Sequence, residues 1–183
     1  DAAAAETAEN VLLSHLKPAD LDLLMPHFSR FRAPENHVLY RPGDNVGTVF
    51  FPLGPTLVSF VIDLEDGRGV ETMLVGREGA VGGIVSAGDL PAYSRIMVQF
   101  EGEFLTLPVD VLNEAKERSA SLHNLFSRYA DCLLAQIFQS TACNAVHTIE
   151  QRVCKWIIAA IDRTGGDVVP MTQERLAAML GVG

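Results

Sequence analysis

Few residues of this chain are spaced for chemistry. Cys132, Cys143 and Cys154 recur every 11 residues, which on one continuous helix returns to nearly the same face, the arrangement of a thiol stripe. Thr148 is placed to begin a new helix before Cys154, so the simpler reading is three small apolar residues packing on helices. They are odd in number and form no CxxC pair, which argues against a zinc site or a disulfide framework. The five histidines, His15, His27, His37, His123 and His147, show neither HxxxH nor HExxH spacing, so zinc catalysis has no support. No GxSxG, Walker loop or dinucleotide fingerprint occurs, and the glycines of residues 76–83 (GREGAVGG) do not open a helix after a βα turn. The expectation is a protein that is not an enzyme, with no metal site and no cofactor assigned.

One segment has a different physical logic. Residues 172–182 (TQERLAAMLGV) read as the first helix and turn of a helix-turn-helix. Thr172 caps the helix, Ala177 is small enough for a second helix to cross closely, and Gly181 four positions later supplies the conformation of a sharp turn. Leu176, Leu180 and Val182 complete the apolar side, and Thr172, Gln173 and Arg175 become the residues nearest a DNA backbone.

The elements that must position this segment can be read in order. Residues 8–29 predict two short helices, with Leu12, Leu13 and Leu16 on one face and Pro18 opening the second. From Phe31 to Pro108 the texture is short β-branched or aromatic runs separated by turns, which predicts an antiparallel roll or barrel. Glu65-Asp66-Gly67-Arg68 predicts one hairpin, and Glu101-Gly102-Glu103 predicts a second between 96–100 and 104–107. Residues 110–145 contain neither Pro nor Gly and predict a long helix. On it Leu122, Leu125, Tyr129, Cys132, Gln136, Gln139, Cys143 and Val146 follow alternating three- and four-residue steps, a heptad-like seam. Leu133, Leu134, Ile137 and Phe138 fall outside that seam, so the helix is apolar on more than one side and must be covered from more than one side. Either it is wedged between the roll and a second copy of itself, or it is a buried helix of a monomer. A capping box at Thr148 and Gln151 starts a further amphipathic helix that ends before Gly165.

At 183 residues the chain fits one large domain or one domain plus a small second one, and 48% apolar with 20% charged residues is enough for a real core. A formal net charge of −9 opposes a grip on phosphate backbones, yet 10 of 14 basic and 19 of 23 acidic residues precede Val146. The acidity therefore belongs to the roll and long helix, while the last stretch is neutral. No apolar run is long enough to span a bilayer and no signal peptide is seen, so a reducing cytoplasm and no membrane partner are expected.

The order of these parts, with Arg41-Pro42-Gly43-Asp44, residues 76–83, residues 136–152 (QIFQSTACNAVHTIEQR) and residues 172–182, resembles the Crp/Fnr family of bacterial transcription regulators along essentially the whole length. The resemblance implies an α+β protein: an N-terminal double-stranded β-helix (a jelly roll of cyclic-nucleotide-binding type) with flanking helices at 1–110, a dimerisation helix at 111–146, and the start of a winged helix-turn-helix at 147–183. It implies a homodimer through Leu122, Leu125, Tyr129, Cys132 and Gln136, and DNA as partner through a recognition helix and wing expected beyond Gly183.

The resemblance also marks a departure. Family members that bind cyclic nucleotides hold the ribose with a Glu and the cyclic phosphate with an Arg-Ser or Arg-Thr pair; here Gly83 stands at the first place and Tyr93 at the second. The effector pocket expected from the resemblance comprises Gly82, Gly83, Tyr93, Ser94 and Arg95, with Arg95 two positions late and better suited to an ion pair with a nearby acid. Cyclic AMP and cyclic GMP are therefore not expected to bind in the usual way, although another small-molecule effector fits this reading. The cysteine cluster of iron–sulfur members is missing as well. The alternative is a ligand-binding sensor of the same fold without DNA activity; an enzyme on a cupin-like roll lacks the His/Glu metal ligands it would need.

Overall fold

The structure, a computed structural model, describes residues 7–84 and 90–180. The expected turn at Gly181 and Val182 lies outside the described residues. Two short helices, α1 (Val11–Ser14) and α2 (Pro18–Leu24), precede the strands. Asn10 caps α1 by accepting from Leu13 N–H, and Pro18 opens α2 at the position where its missing N–H costs nothing.

Seven strands follow among the described residues: β1 (Ser29–Ala33), β2 (Val38–Tyr40), β3 (Thr48–Pro52), β4 (Leu57–Asp63), β5 (Gly69–Val75), β6 (Arg95–Phe100) and β7 (Gly102–Pro108). They form two antiparallel sheets, β1-β7-β3 and β2-β6-β4-β5, packed as a jelly roll. The hairpin expected at residues 65–68 joins β4 to β5, with Gly67 at φ 83 in the turn. The hairpin expected at Glu101-Gly102-Glu103 does not form. β6 and β7 belong to opposite sheets, and the chain crosses between them where Gly102 lies so close to Thr56 that a Cβ would meet its hydroxyl at 1.9 Å. A turn-like tripeptide between two apolar runs cannot tell a hairpin from a corner that changes sheets.

After the roll the expected long helix is two helices, α3 (Val109–Arg118) and α4 (Ala120–Val146). The break is at Ser119, whose extended backbone (φ −132, ψ 111) ends one helix while its hydroxyl caps the next at Leu122 N–H. Asp20 holds this corner, accepting from the hydroxyls of Ser119 and Ser121 at 2.5 Å each, and those bonds keep its carboxyl below the usual range. α5 (Ile149–Thr164) begins with the capping box of Thr148 and Gln151 and ends at Gly165 in the left-handed conformation (φ 69). α6 (Gln173–Met179) is capped by Thr172, whose hydroxyl accepts from Arg175 N–H.

Three apolar clusters hold these parts together. The first joins α1, α2, α3, β3 and the N-terminal half of α4 through Leu13, Phe51, Leu112, Leu122 and Phe126. The second fills the roll around Val58, Phe60, Ile96 and Phe104. The third lies between the outer side of the roll and α5–α6, where Trp156, Ala160 and Leu180 cover Leu57, Leu74 and Phe100. Each Leu or Phe side chain this fully buried contributes about 1.5–3 kcal/mol, so α5 and α6 are seated on the roll by packing as well as by polar contacts.

Candidate effector site

Between the roll and α4 lies a cavity of about 380 Å³. Phe60, Met73 and Ile96 of the four-stranded sheet form its floor, Val81 and Ile84 one wall, and Leu133 and Ile137 of α4 its cover. Gly82, Gly83, Tyr93 and Ser94, the candidate pocket residues named above, line this cavity. Ser94 is buried, whereas Tyr93 is 75% exposed at the mouth.

Arg95 does not line the cavity. Its guanidinium donates to both oxygens of Asp63, with Nη2 to Oδ1 at 2.6 Å, and so forms the ion pair that was its alternative reading. The guanidinium beside Asp63 holds that carboxyl below the usual carboxylate range. For Arg95 the place in the pocket is thus corrected: two residues along a strand move the group about 6–7 Å, enough to hand it to a neighbour on β4.

The glycines of residues 76–83 are explained by close packing. A Cβ on Gly82 would come within 2.4 Å of Thr48 O, and one on Gly83 within 2.4 Å of Val109. At Gly79 it would meet the Tyr129 hydroxyl at 2.1 Å. That hydroxyl accepts from Ala80 N–H and donates to Ala80 O, both at 2.9 Å, and burial pushes its pKa up. Asn10, fully buried, donates from Nδ2 to Gly79 O and Pro52 O. The loop is therefore clasped by α1 and α4.

This clasp alters the reading of the long helix. Leu122 is fully buried and Tyr129 9% exposed inside the same chain, so these two cannot form part of a free seam. Leu125 is half-buried on the same cluster, Gln136 accepts from Leu74 N–H at 3.0 Å, and Cys132 is exposed. The first part of the heptad stripe, Leu122, Leu125 and Tyr129, together with Gln136, faces its own chain, whereas Cys132, Gln139 and Val146 are exposed, because a period marks a stripe without saying what covers it. The uncovered stripe runs beside it. Ala135, Phe138, Ala142 and Ala145 follow three- and four-residue steps and are exposed, flanked by Leu134. Leu134 is 48% and Phe138 64% exposed.

β5 connects the cavity with the C-terminal helices. Met73 faces the cavity, Leu74 N–H donates to Gln136 of α4, and Leu74 O accepts from Arg163 Nε of α5 at 3.1 Å. Glu71, two residues before Met73, accepts from Trp156 Nε1 at 2.7 Å, while its Oε2 is buried without a partner among the described residues. Burial raises its pKa to about 8, opposed by the Trp156 bond and by Arg163 and Lys155. No motif marks Glu71 or Trp156; the one available signal is an acid in the middle of a strand whose other residues, Thr72 apart, are apolar or Gly. Glu78 adds a further tie, its carboxylate accepting from Gly76 N–H and pairing with Arg163.

Of the DNA-proximal residues, Thr172 is occupied as a cap and Gln173 is exposed. Arg175 is bound to the roll: Nη2 donates to Gln99 O at 2.9 Å and Gln99 Oε1 at 2.8 Å, and Nη1 pairs with Glu35.

No protein-family model matches the sequence and no curated protein matches it. Solved structures do. A transcriptional regulator of the Crp/Fnr family from Eubacterium rectale is 14% identical, with 94% of this chain and 80% of that one covered and a TM-score of 0.71. The c-di-GMP-responsive global regulator CLP of Xanthomonas campestris is 17% identical over 91% of this chain and 86% of its own, with a TM-score of 0.70. FixK2 of Bradyrhizobium japonicum is 13% identical over 85% and 78%, with a TM-score of 0.73. The chain thus has the fold of the Crp/Fnr regulators, a cyclic-nucleotide-binding-like jelly roll followed by a long helix.

Proposed function

We propose that this chain is the sensing and dimerising part of a Crp/Fnr-type transcription regulator, together with the first part of its DNA-binding domain. The observation that carries the reading is the position of β5. One strand lines the cavity through Met73, bonds α4 through Leu74 and Gln136, and bonds α5 through Leu74 with Arg163 and Glu71 with Trp156. A change in the cavity is therefore felt directly by the long helix and by the domain that follows it.

In this mechanism the exposed stripe of Leu134 and Phe138 packs on the same stripe of a second copy. Thr172, Gln173 and Arg175 face DNA once α6 leaves the roll. With Arg175 held by Glu35 and Gln99, the conformation described above is the DNA-incompetent one. A bacterial regulator of this kind works in the cytoplasm. Support comes from the likeness to three regulators of the same fold.

The test is in vitro selection of duplexes from a random library by the natural gene product. The expected result is enrichment of a two-fold symmetric site, as a dimer demands. Recovery of no common sequence would leave a sensor without DNA activity.

A further inference from the structure

We infer that the cavity between roll and α4 takes a small, uncharged, largely apolar molecule. The inference deepens the reading above and rests on it, since that reading makes the cavity the place where the signal enters.

Three observations converge. First, the cavity is lined by Phe60, Met73, Val81, Ile96, Leu133 and Ile137, and at about 380 Å³ it is of ligand size. Second, no Lys or Arg is among its described lining residues, and the only charged side chain there is Asp131. An anionic group would have to shed its water beside a carboxylate with no cation to receive it. The nearest guanidinium suited by sequence, Arg95, is bound to Asp63 on the other side of the strand. Third, the glycines that could have cradled a phosphate are there for packing, Gly82 against Thr48 and Gly83 against Val109. What remains is apolar surface with three neutral polar groups, the buried hydroxyl of Ser94, the amide of Asn113, whose Oδ1 is buried without a partner among the described residues, and the exposed Tyr93 at the mouth. Such a lining rewards removal of apolar area from water and penalises charge.

The test uses this chain and N-phenylnaphthylamine, a neutral aromatic amine that brightens in apolar surroundings. Saturable binding of one probe per chain is expected, with displacement by decanol and no displacement by decyl phosphate or cyclic AMP at the same concentrations. Leu133→Trp fills the cavity and should weaken probe binding about tenfold or more, while Arg95→Ala should leave it unchanged. If Leu133→Trp fails to fold, the decanol and decyl phosphate competition on the wild-type chain decides alone. Displacement by decyl phosphate as effective as by decanol overturns the inference, as does an unaltered affinity in a folded Leu133→Trp variant, which would put the probe elsewhere. Absence of saturable binding overturns it too. The regulator reading is judged separately, by duplex selection, so a chain that selects DNA but binds cyclic AMP loses only the ligand class.

Discussion

Glu71 offers the sharpest physical test of how the roll holds α5. Its carboxyl is buried against Trp156, with one oxygen bonded and one without a partner among the described residues, and its pKa is raised from 4.5 to about 8. Below pH 4.5 the group is protonated whether the chain is folded or not, and it imposes no penalty. Between 4.5 and 8 the folded chain keeps a proton that the unfolded chain releases, so stability falls as pH rises through this window and levels off above it. At about 1.4 kcal/mol per pH unit the full difference is about 5 kcal/mol; water entry that eased it to about 3 kcal/mol would lower the folded pKa and shorten the window to the same extent. Glu71→Gln keeps an acceptor for Trp156 and removes the titration. It adds N–H donors of its own, which cost about 1 kcal/mol at every pH. The assay is denaturant unfolding of both proteins from pH 5 to pH 9. The variant should gain on the wild type by about 3 kcal/mol across that range, most steeply between pH 5 and 8. Parallel stability curves would refute the placement of a dry carboxyl between β5 and α5.

Three other perturbations follow from the same contacts. Phe138→Glu leaves the melting temperature within about 2 °C, since the ring is largely exposed, but sedimentation should show the mass of one chain where the wild type shows two. Tyr129→Phe removes the two bonds to Ala80 and leaves buried backbone groups unmet, which should cost about 1–3 kcal/mol by thermal melting; an unchanged melting temperature would deny the clasp. Arg95→Ala should cost under about 1 kcal/mol, because its pair with Asp63 is partly exposed, and a larger loss would mean the residue has a second role.

Much of the fold was legible in the sequence because local chemistry enforces it. The caps at Thr148 and Thr172, the turn at Gly67 and the stop at Gly165 are decided by residues within a few positions of each other. What was not legible depends on partners far along the chain. The break at Ser119 combines a local cap on Leu122 N–H with Asp20, about a hundred residues earlier, which accepts from the same hydroxyl. The crossing at Gly102 is set by Thr56, and the inward turn of Tyr129 by the backbone of Ala80. The same holds for the site. Gly82, Gly83, Tyr93 and Ser94 could be placed at the cavity by family likeness, but its apolar walls come from five separate segments, β4, β5, the loop at 80–84, β6 and α4. Glu71 and Trp156 carry no local signal that links them, and only the tertiary fold brings them together.

The most direct measurement of the regulator account is a salt titration of the natural gene product on the duplex it selects. Binding to a two-fold symmetric site should weaken steeply, by about a thousandfold or more between 50 and 200 mM salt, as six or more phosphates exchange counterions for protein. Failure to retain any duplex at the lowest salt, or retention that does not change across this range, would contradict it.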